Sequence, residues 1–185
     1  MSRHYIATPL SKSTIQTLRI GDLVYVSGTI YAARDAAHKR ICECLDNGKS
    51  LPADLSGQLI YYVGPSPAKP GQVIGSAGPT TSGRMDAYTP RLLGLGLAGM
   101  IGKGNRSADV MNAIQKNTCV YLAATGGAGA LIAKCITKYT VIAWPELGTE
   151  AFAAMDVHNF PTIVVADCWG GDLYQEGRQH YRTLP

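Results

Sequence analysis

The run Leu59-Ile-Tyr-Tyr-Val and the stretch after it, Gly64 to Gly83, constrain this chain more than any other part of it. The run is wholly apolar or aromatic and too short for a helix, so it predicts a buried strand. The stretch is dominated by Gly, Pro, Ser and Thr, which predicts a long ordered loop at the end of that strand. Upstream, Asp22-Leu-Val-Tyr-Val-Ser-Gly predicts a strand. Thr29 to Asp35 then leads into a helix with Ala37, Ile41, Cys44 and Leu45 on one face, which Gly48 stops. Downstream, Asp86 to Leu95 predicts a helix with Pro90 in its first turn, and Gly99 to Gly102 a short strand. Ser107 is the expected N-cap of a helix carrying Val110, Ala113 and Ile114. A strand over Thr118 to Ala124, a helix over Gly127 to Ile136, a strand over Tyr139 to Trp144, the segment Glu150 to Met155 and a last strand over Thr162 to Asp167 complete the order. Such alternation is that of a mixed α/β protein with helices crossing between strands.

At 185 residues the chain is long enough to bury a core without metals or disulfides, and one domain over residues 1–185 is expected. The net charge of +4 is scattered, so no basic run marks a nucleic-acid or membrane partner, and a mild attraction for small anions is the better reading. The N-terminus lacks an apolar signal core, and the longest apolar stretch, Leu92 to Ile101, is broken by three glycines and too short to span a bilayer. These features suggest a soluble, cytoplasmic protein. The five cysteines, Cys42, Cys44, Cys119, Cys135 and Cys168, are odd in number and irregularly spaced, which argues against a disulfide framework and for a reducing compartment. Cys42 and Cys44 point to different faces of a helix and no Cys-x2-Cys series completes a ligand set, so no metal ligand is assigned to this chain.

Two near-matches to phosphate motifs fail. Gly99-Met-Ile-Gly-Lys-Gly has Leu97 where a P-loop needs glycine and Gly104 where it needs Ser or Thr. Gly126-Gly-Ala-Gly-Ala has Ile132 in place of the last glycine of a dinucleotide turn, and reads as a tight strand-to-helix turn. Gly78-Pro-Thr-Thr-Ser-Gly-Arg is a stronger signal. Thr80, Thr81 and Ser82 present hydroxyls beside the Arg84 guanidinium, a fork suited to a carboxylate, although a hydroxyl-rich turn with a surface ion pair fits the same residues. Lys103 follows an apolar strand, where functional residues of α/β folds gather. Arg34, Asp35 and His38 put two cations and an acid around a helix start, with Asp35 suited to cap the helix or orient Arg34, and His38 reading first as a partly buried structural histidine.

Taken together, Gly28-Thr-Ile-Tyr-Ala-Ala-Arg-Asp-Ala-Ala-His-Lys, Tyr62-Val-Gly-Pro-Ser-Pro-Ala-Lys-Pro-Gly, Gly78-Pro-Thr-Thr-Ser-Gly-Arg-Met-Asp and Gly102-Lys-Gly-Asn-Arg-Ser closely resemble the β subunit, or C-terminal domain, of class I fumarases and L-tartrate dehydratases. The resemblance extends through Thr125-Gly-Gly-Ala-Gly-Ala, Glu146-Leu-Gly-Thr-Glu and Asn159-Phe-Pro, and so covers nearly the whole chain. It implies a swivelling β/β/α domain, with mixed sheets and helices packed on one side. It implies reversible hydration of a dicarboxylate at a [4Fe–4S] cluster bound by a partner α subunit rather than by this chain, in a homo- or hetero-oligomer. Residue by residue, it implies that Arg34 and Arg84 hold substrate carboxylates, that Thr80 and Thr81 bring hydroxyls to the reacting carbons, and that Lys103 adds a cationic contact. Thr80 is implied as the group that takes the C–H proton. Free threonine is a poor base, so Arg84 or Lys103 would have to stabilise its alkoxide or relay the proton. Gly83-Arg84-Met85-Asp86 and Gly104-Asn105-Arg106-Ser107 resemble fumarase more than tartrate dehydratase. A non-catalytic anion-binding module of the same fold is the reading of another class.

Overall fold

A computed structural model describes residues 1–183; Leu184 and Pro185 of the expected domain lie outside the described residues. The elements run β1 (Arg3–Ala7), α1 (Lys12–Thr17), β2 (Leu23–Ala32), α2 (Asp35–Asp46), β3 (Leu59–Tyr61), a 3-10 turn (Ser82–Met85), α3 (Thr89–Gly94), β4 (Gly99–Gly102), α4 (Ala108–Asn117), β5 (Val120–Ala123), α5 (Gly129–Ala133), β6 (Ile136–Ala143), a second 3-10 turn (Pro145–Glu150), β7 (Phe152–Ala166) and α6 (Leu173–Tyr181). The fold is mixed α/β. No helix among the described residues is long and apolar enough to cross a membrane.

The strands join in the order β1-β2-β3-β4-β5-β7-β6, with β2 also paired to β7. β1 to β5 are parallel neighbours, whereas β7 runs antiparallel to β5, β2 and β6. The β2–β7 ladder, from Leu23↔Ile163 to Ala32↔Ala153, closes β2, β3, β4, β5 and β7 into a ring of pairings. The expected mixed sheets are found as one seven-stranded sheet of mixed direction.

Successive residues of the apolar run divide between two cores, as strand alternation requires. Leu59, Tyr61 and Val63 join one cluster, Ile60 and Tyr62 the other. A strand apolar on both faces has to be covered on both. Helices α2, α3 and α4 cover the second cluster through Ile41, Leu92, Leu93, Val110 and Ile114, while Ile15, Leu18 and Ile132 of the α1 and α5 segments join the first. The expectation of helices packed on one side only is thereby corrected.

Several local expectations hold. Pro90 sits in the first turn of α3, Ser107 Oγ accepts from Val110 N at 3.4 Å to cap α4, and α2 ends just before Gly48, at φ +63°. Others shift. The strand expected from Thr118 starts at Val120, because Thr118 takes a left-handed conformation at φ +55°. The helix expected over Gly127 to Ile136 shrinks to Gly129–Ala133, and Ile136 already belongs to β6. Glu150 to Met155 and Thr162 to Asp167 fall largely on one long strand, β7, which passes through Asn159 (φ +50°) and Pro161. There His158 and Asn159 bulge opposite Ser27, Asn159 N donates to Ser27 Oγ at 3.0 Å, and the ladder resumes at Gly28, whose φ of +100° needs a glycine.

Candidate active site

The site gathers where β3 and β4 end and α2 begins. Beyond β3, Thr80 N donates to Tyr62 O at 2.7 Å, and Thr81 forms an isolated parallel bridge with Lys103. Ser82 completes the lacing: its N–H donates to Lys103 O at 2.8 Å and its Oγ accepts from Lys103 N at 3.1 Å. The Tyr121 hydroxyl lies 2.8 Å from the same Ser82 Oγ and 2.8 Å from Gly104 O; its single proton goes to the carbonyl, and the Ser82 hydroxyl donates to it in turn. Ser82 is buried, so it is a strut that holds Thr81 beside Lys103. Gly102 has to be glycine, because a Cβ there would collide with Ser82 Oγ. Thr81 and Lys103 are exposed and Thr80 is half-buried. Among the described residues, neither threonine hydroxyl nor the Lys103 ammonium has a hydrogen bond or ion pair. The Gly126 turn lies against Lys103: a Cβ there would be 3.8 Å from its Nζ.

At the start of α2 the charges alternate. Arg34 occupies the N-cap position, its Nη2 bonded to Glu150 Oε1 at 3.1 Å and its Nε 3.7 Å from Asp35 Oδ1. Glu150 Oε2 also accepts from Ala36 N at 3.3 Å, capping the helix from the second 3-10 turn. Arg34 passes over Gly64, where a Cβ would come within 2.7 Å of Nη1. Asp35 reaches the other way, its Oδ2 accepting from Arg84 Nη2 at 3.2 Å. Two guanidinium groups thus flank one carboxylate. Arg84 lies in the same 3-10 turn as Ser82, which joins this cluster to Thr81 and Lys103.

His38 stands beneath, fully buried. Its Nδ1 pairs with Arg34 O at 2.7 Å, and its ring meets Tyr62 edge-on at 5.2 Å. Burial, with the nearby Arg106 charge adding to it, pushes its pKa down to about 4 against the pull of the Arg34 carbonyl. The ring is therefore neutral at pH 7, and Nδ1–H donates to Arg34 O. His38 fixes the backbone of Arg34 and is itself out of reach of a ligand.

Three contributors fall outside the residues assigned from sequence. Glu150 braces Arg34, and Asp86 with Arg106 forms a buried pair at 2.7 Å behind the site. Each lies inside a motif quoted for the family resemblance, and the available signal was an acid for Arg34 in one motif and an acid and a base of opposite sign, Asp86 and Arg106, in two others. A cleft of about 580 Å³ between Ser66, Lys69, Val73, Ala133 and Lys134 contains none of the site residues. The site is an open shelf.

A family model described as fumarase C-terminus matches residues 3–177. The chain belongs to that family. Among relatives of this fumarase C-terminal chain, fumarate hydratase 2 of Leishmania major is 42% identical over 159 residues, covering 85% of the chain and 28% of the relative. The aerobic class I fumarate hydratase of Escherichia coli K12 is 40% identical over 153 residues, covering 82% and 28%. A putative L(+)-tartrate dehydratase subunit beta of Methanocaldococcus jannaschii is 38% identical over 178 residues, covering 93% and 91%. The fumarase C-terminal chain thus spans about a quarter of the first two and nearly all of the third.

The thiols of this fumarase C-terminal chain do not fit an iron–sulfur cluster. Among the described residues no three His, Cys, Asp or Glu side chains gather as a metal site. Cys119 is buried, pairs with Leu97 O at 3.2 Å and is pushed up by burial to about 12, far from the thiolate a cluster needs. Burial also raises Cys42, Cys135 and Cys168.

Proposed function

We propose that this chain is the β subunit of a class I fumarate hydratase, a hydro-lyase that interconverts fumarate and L-malate. As one domain it would supply carboxylate-binding and proton-transfer groups to a site completed by an α-type subunit, and be inactive without it. The observation that carries this reading is the flanking of the Asp35 carboxylate by Arg34 and Arg84, on an exposed shelf with two unpaired hydroxyls and an unpaired ammonium. Such a set suits a small dianion: two forks for its carboxylates, Lys103 for residual charge, Thr80 and Thr81 for the carbons between.

In this reading Arg34 and Arg84 orient the acid, and Thr80, its backbone fixed by the bond to Tyr62 O, first gives up its hydroxyl proton to water with neighbouring cations stabilising the alkoxide, and the alkoxide Oγ then takes the C–H proton and becomes a hydroxyl again. A [4Fe–4S] cluster on the α-type subunit would supply Lewis acidity toward the substrate hydroxyl. The openness of the shelf supports a divided site, because water has to be excluded by something this chain does not provide. The swivelling character implied by the resemblance would bring the shelf onto the partner, in a cytoplasmic αβ pair that assembles further. The 91% coverage of the M. jannaschii relative favours a second reading, an L-tartrate dehydratase β subunit.

The test is co-production with an α-type chain, anaerobic iron loading and assay on L-malate and L-tartrate, with this chain alone as control. Turnover in the complex alone, with malate preferred, is the expected result. Preference for tartrate selects the second reading, and an intact, inert complex overturns both.

A further inference from the structure

Asp35 and Glu150 both face Arg34, yet they are held differently. Glu150 spends one oxygen on Arg34 Nη2 and the other on Ala36 N, so both are engaged. Asp35 bonds Arg84 through Oδ2, but its Oδ1 is buried without a hydrogen bond, and so is the Arg34 Nε that lies 3.7 Å from it. Among the described residues, Asp35 is also the sole partner of the half-exposed Arg84 guanidinium. One carboxylate therefore bridges two arginine forks and satisfies neither fully, as a bound anion that can be exchanged would.

We propose that Asp35 is a displaceable internal stand-in for a ligand carboxylate, and thereby a specificity-determining residue. In the free chain it keeps Arg84 turned toward Arg34 and offsets the repulsion between them. A dicarboxylate displaces it from Arg84. The released Asp35 is not stranded, because it lies in the first turn of α2, where the helix dipole and remaining free N–H groups favour a negative charge. A monocarboxylate would exchange like for like at Arg84, whereas a dicarboxylate gains a second seat, so the stand-in selects dianions. This inference rests on the reading that the two arginines bind a dicarboxylate.

The test uses succinate, a dicarboxylate that cannot be hydrated, titrated into the full chain while the Arg84 side-chain N–H resonance is followed by NMR. Asp35→Asn is expected to tighten succinate binding about fivefold, the scale set by a partly exposed ion pair. Glu150→Gln removes the same charge from the other flank of Arg34 and is expected to weaken binding, because it frees a brace rather than a competitor. Equal tightening by both variants would reduce the effect to through-space charge and overturn the proposal. So would unchanged or weaker binding by Asp35→Asn, or no succinate binding by any of the three chains. The hydration assay on the complex keeps the two ideas apart: an active enzyme without the Asp35 effect loses the stand-in alone, and the Asp35 effect with an enzyme inert on both acids loses the hydratase alone.

Discussion

Arg84 and Arg106 each meet an aspartate, and the two pairs could hardly be more different in setting. The Arg106 side chain has no exposed surface. Its Nε donates to Asp86 Oδ1 and its Nη2 to Thr89 Oγ1, both at 2.7 Å, while its guanidinium lies over the rings of Tyr62 and Tyr121. Asp86 uses its second oxygen to accept from Ser107 N, the N-cap residue of α4. Arg84, two residues from Asp86, is 52% exposed and holds Asp35 by a single 3.2 Å contact. A pair shut off from solvent on the arginine side ties elements together, although Arg106 Nη1 is left buried without a hydrogen bond; an exposed pair leaves a cation available to a ligand. The same two residue types thus act as scaffold in one place and as site in the other.

Breaking the buried pair should have the largest effect. Asp86→Asn leaves the Arg106 charge without its counter-ion, and a loss of about 3–5 kcal/mol of stability is expected from urea unfolding. Next comes pH, through His38, which belongs to the buried side. With a folded pKa of about 4 against 6.5 unfolded, the unfolded chain alone takes up the proton as pH falls between those values. Stability should be indifferent to His38 above pH 6.5 and fall by on the order of 3 kcal/mol as pH drops to about 4. His38→Gln should flatten that part of the stability–pH curve, measured as a difference from wild type so that other groups cancel. On the exposed side, Arg84→Lys should lower kcat/KM of the reconstituted complex by about tenfold or more, since an ammonium cannot reproduce a bidentate fork, with the unfolding midpoint nearly unmoved. The smallest effect belongs to Arg91, paired with Asp46 on the surface at 2.6 Å: Arg91→Ala should change neither activity nor midpoint measurably, despite a shorter contact than that of Arg84.

Much of this was legible in the sequence where the causes are local. The cap at Ser107, Pro90 in a first turn, the stop before Gly48 and the buried run at Leu59 each depend on a few neighbouring residues, and each is found in place. Of the candidate site, the sequence offered Arg34, Thr81 and Arg84 as residues in motifs whose chemistry is visible, and the fold brings Arg34 and Arg84 to one carboxylate. Closure of the sheet was not. It depends on β7 meeting β2 across more than a hundred residues, with Thr29 Oγ1 bonding Asp156 at 2.7 Å, and Asn159 and Pro161 mark that strand as interrupted when it is only bulged. Strand β1, helix α1 and helix α6 are short or weakly patterned, and packing against the rest of the chain defines them. Glu150 and Arg106 escaped for a related reason: a charged residue announces its sign, and only the fold tells whether it braces or binds.

A diffraction structure of the complex with an α-type subunit and L-malate would be the most direct test of the divided site. The expected density has the malate carboxylates on Arg34 and Arg84, Asp35 turned away from Arg84, and the Thr80 hydroxyl facing a reacting carbon, with Arg106 still locked on Asp86. Malate bound without contact to Arg34 or Arg84, or wholly within the α-type subunit, would contradict the division of the site described here.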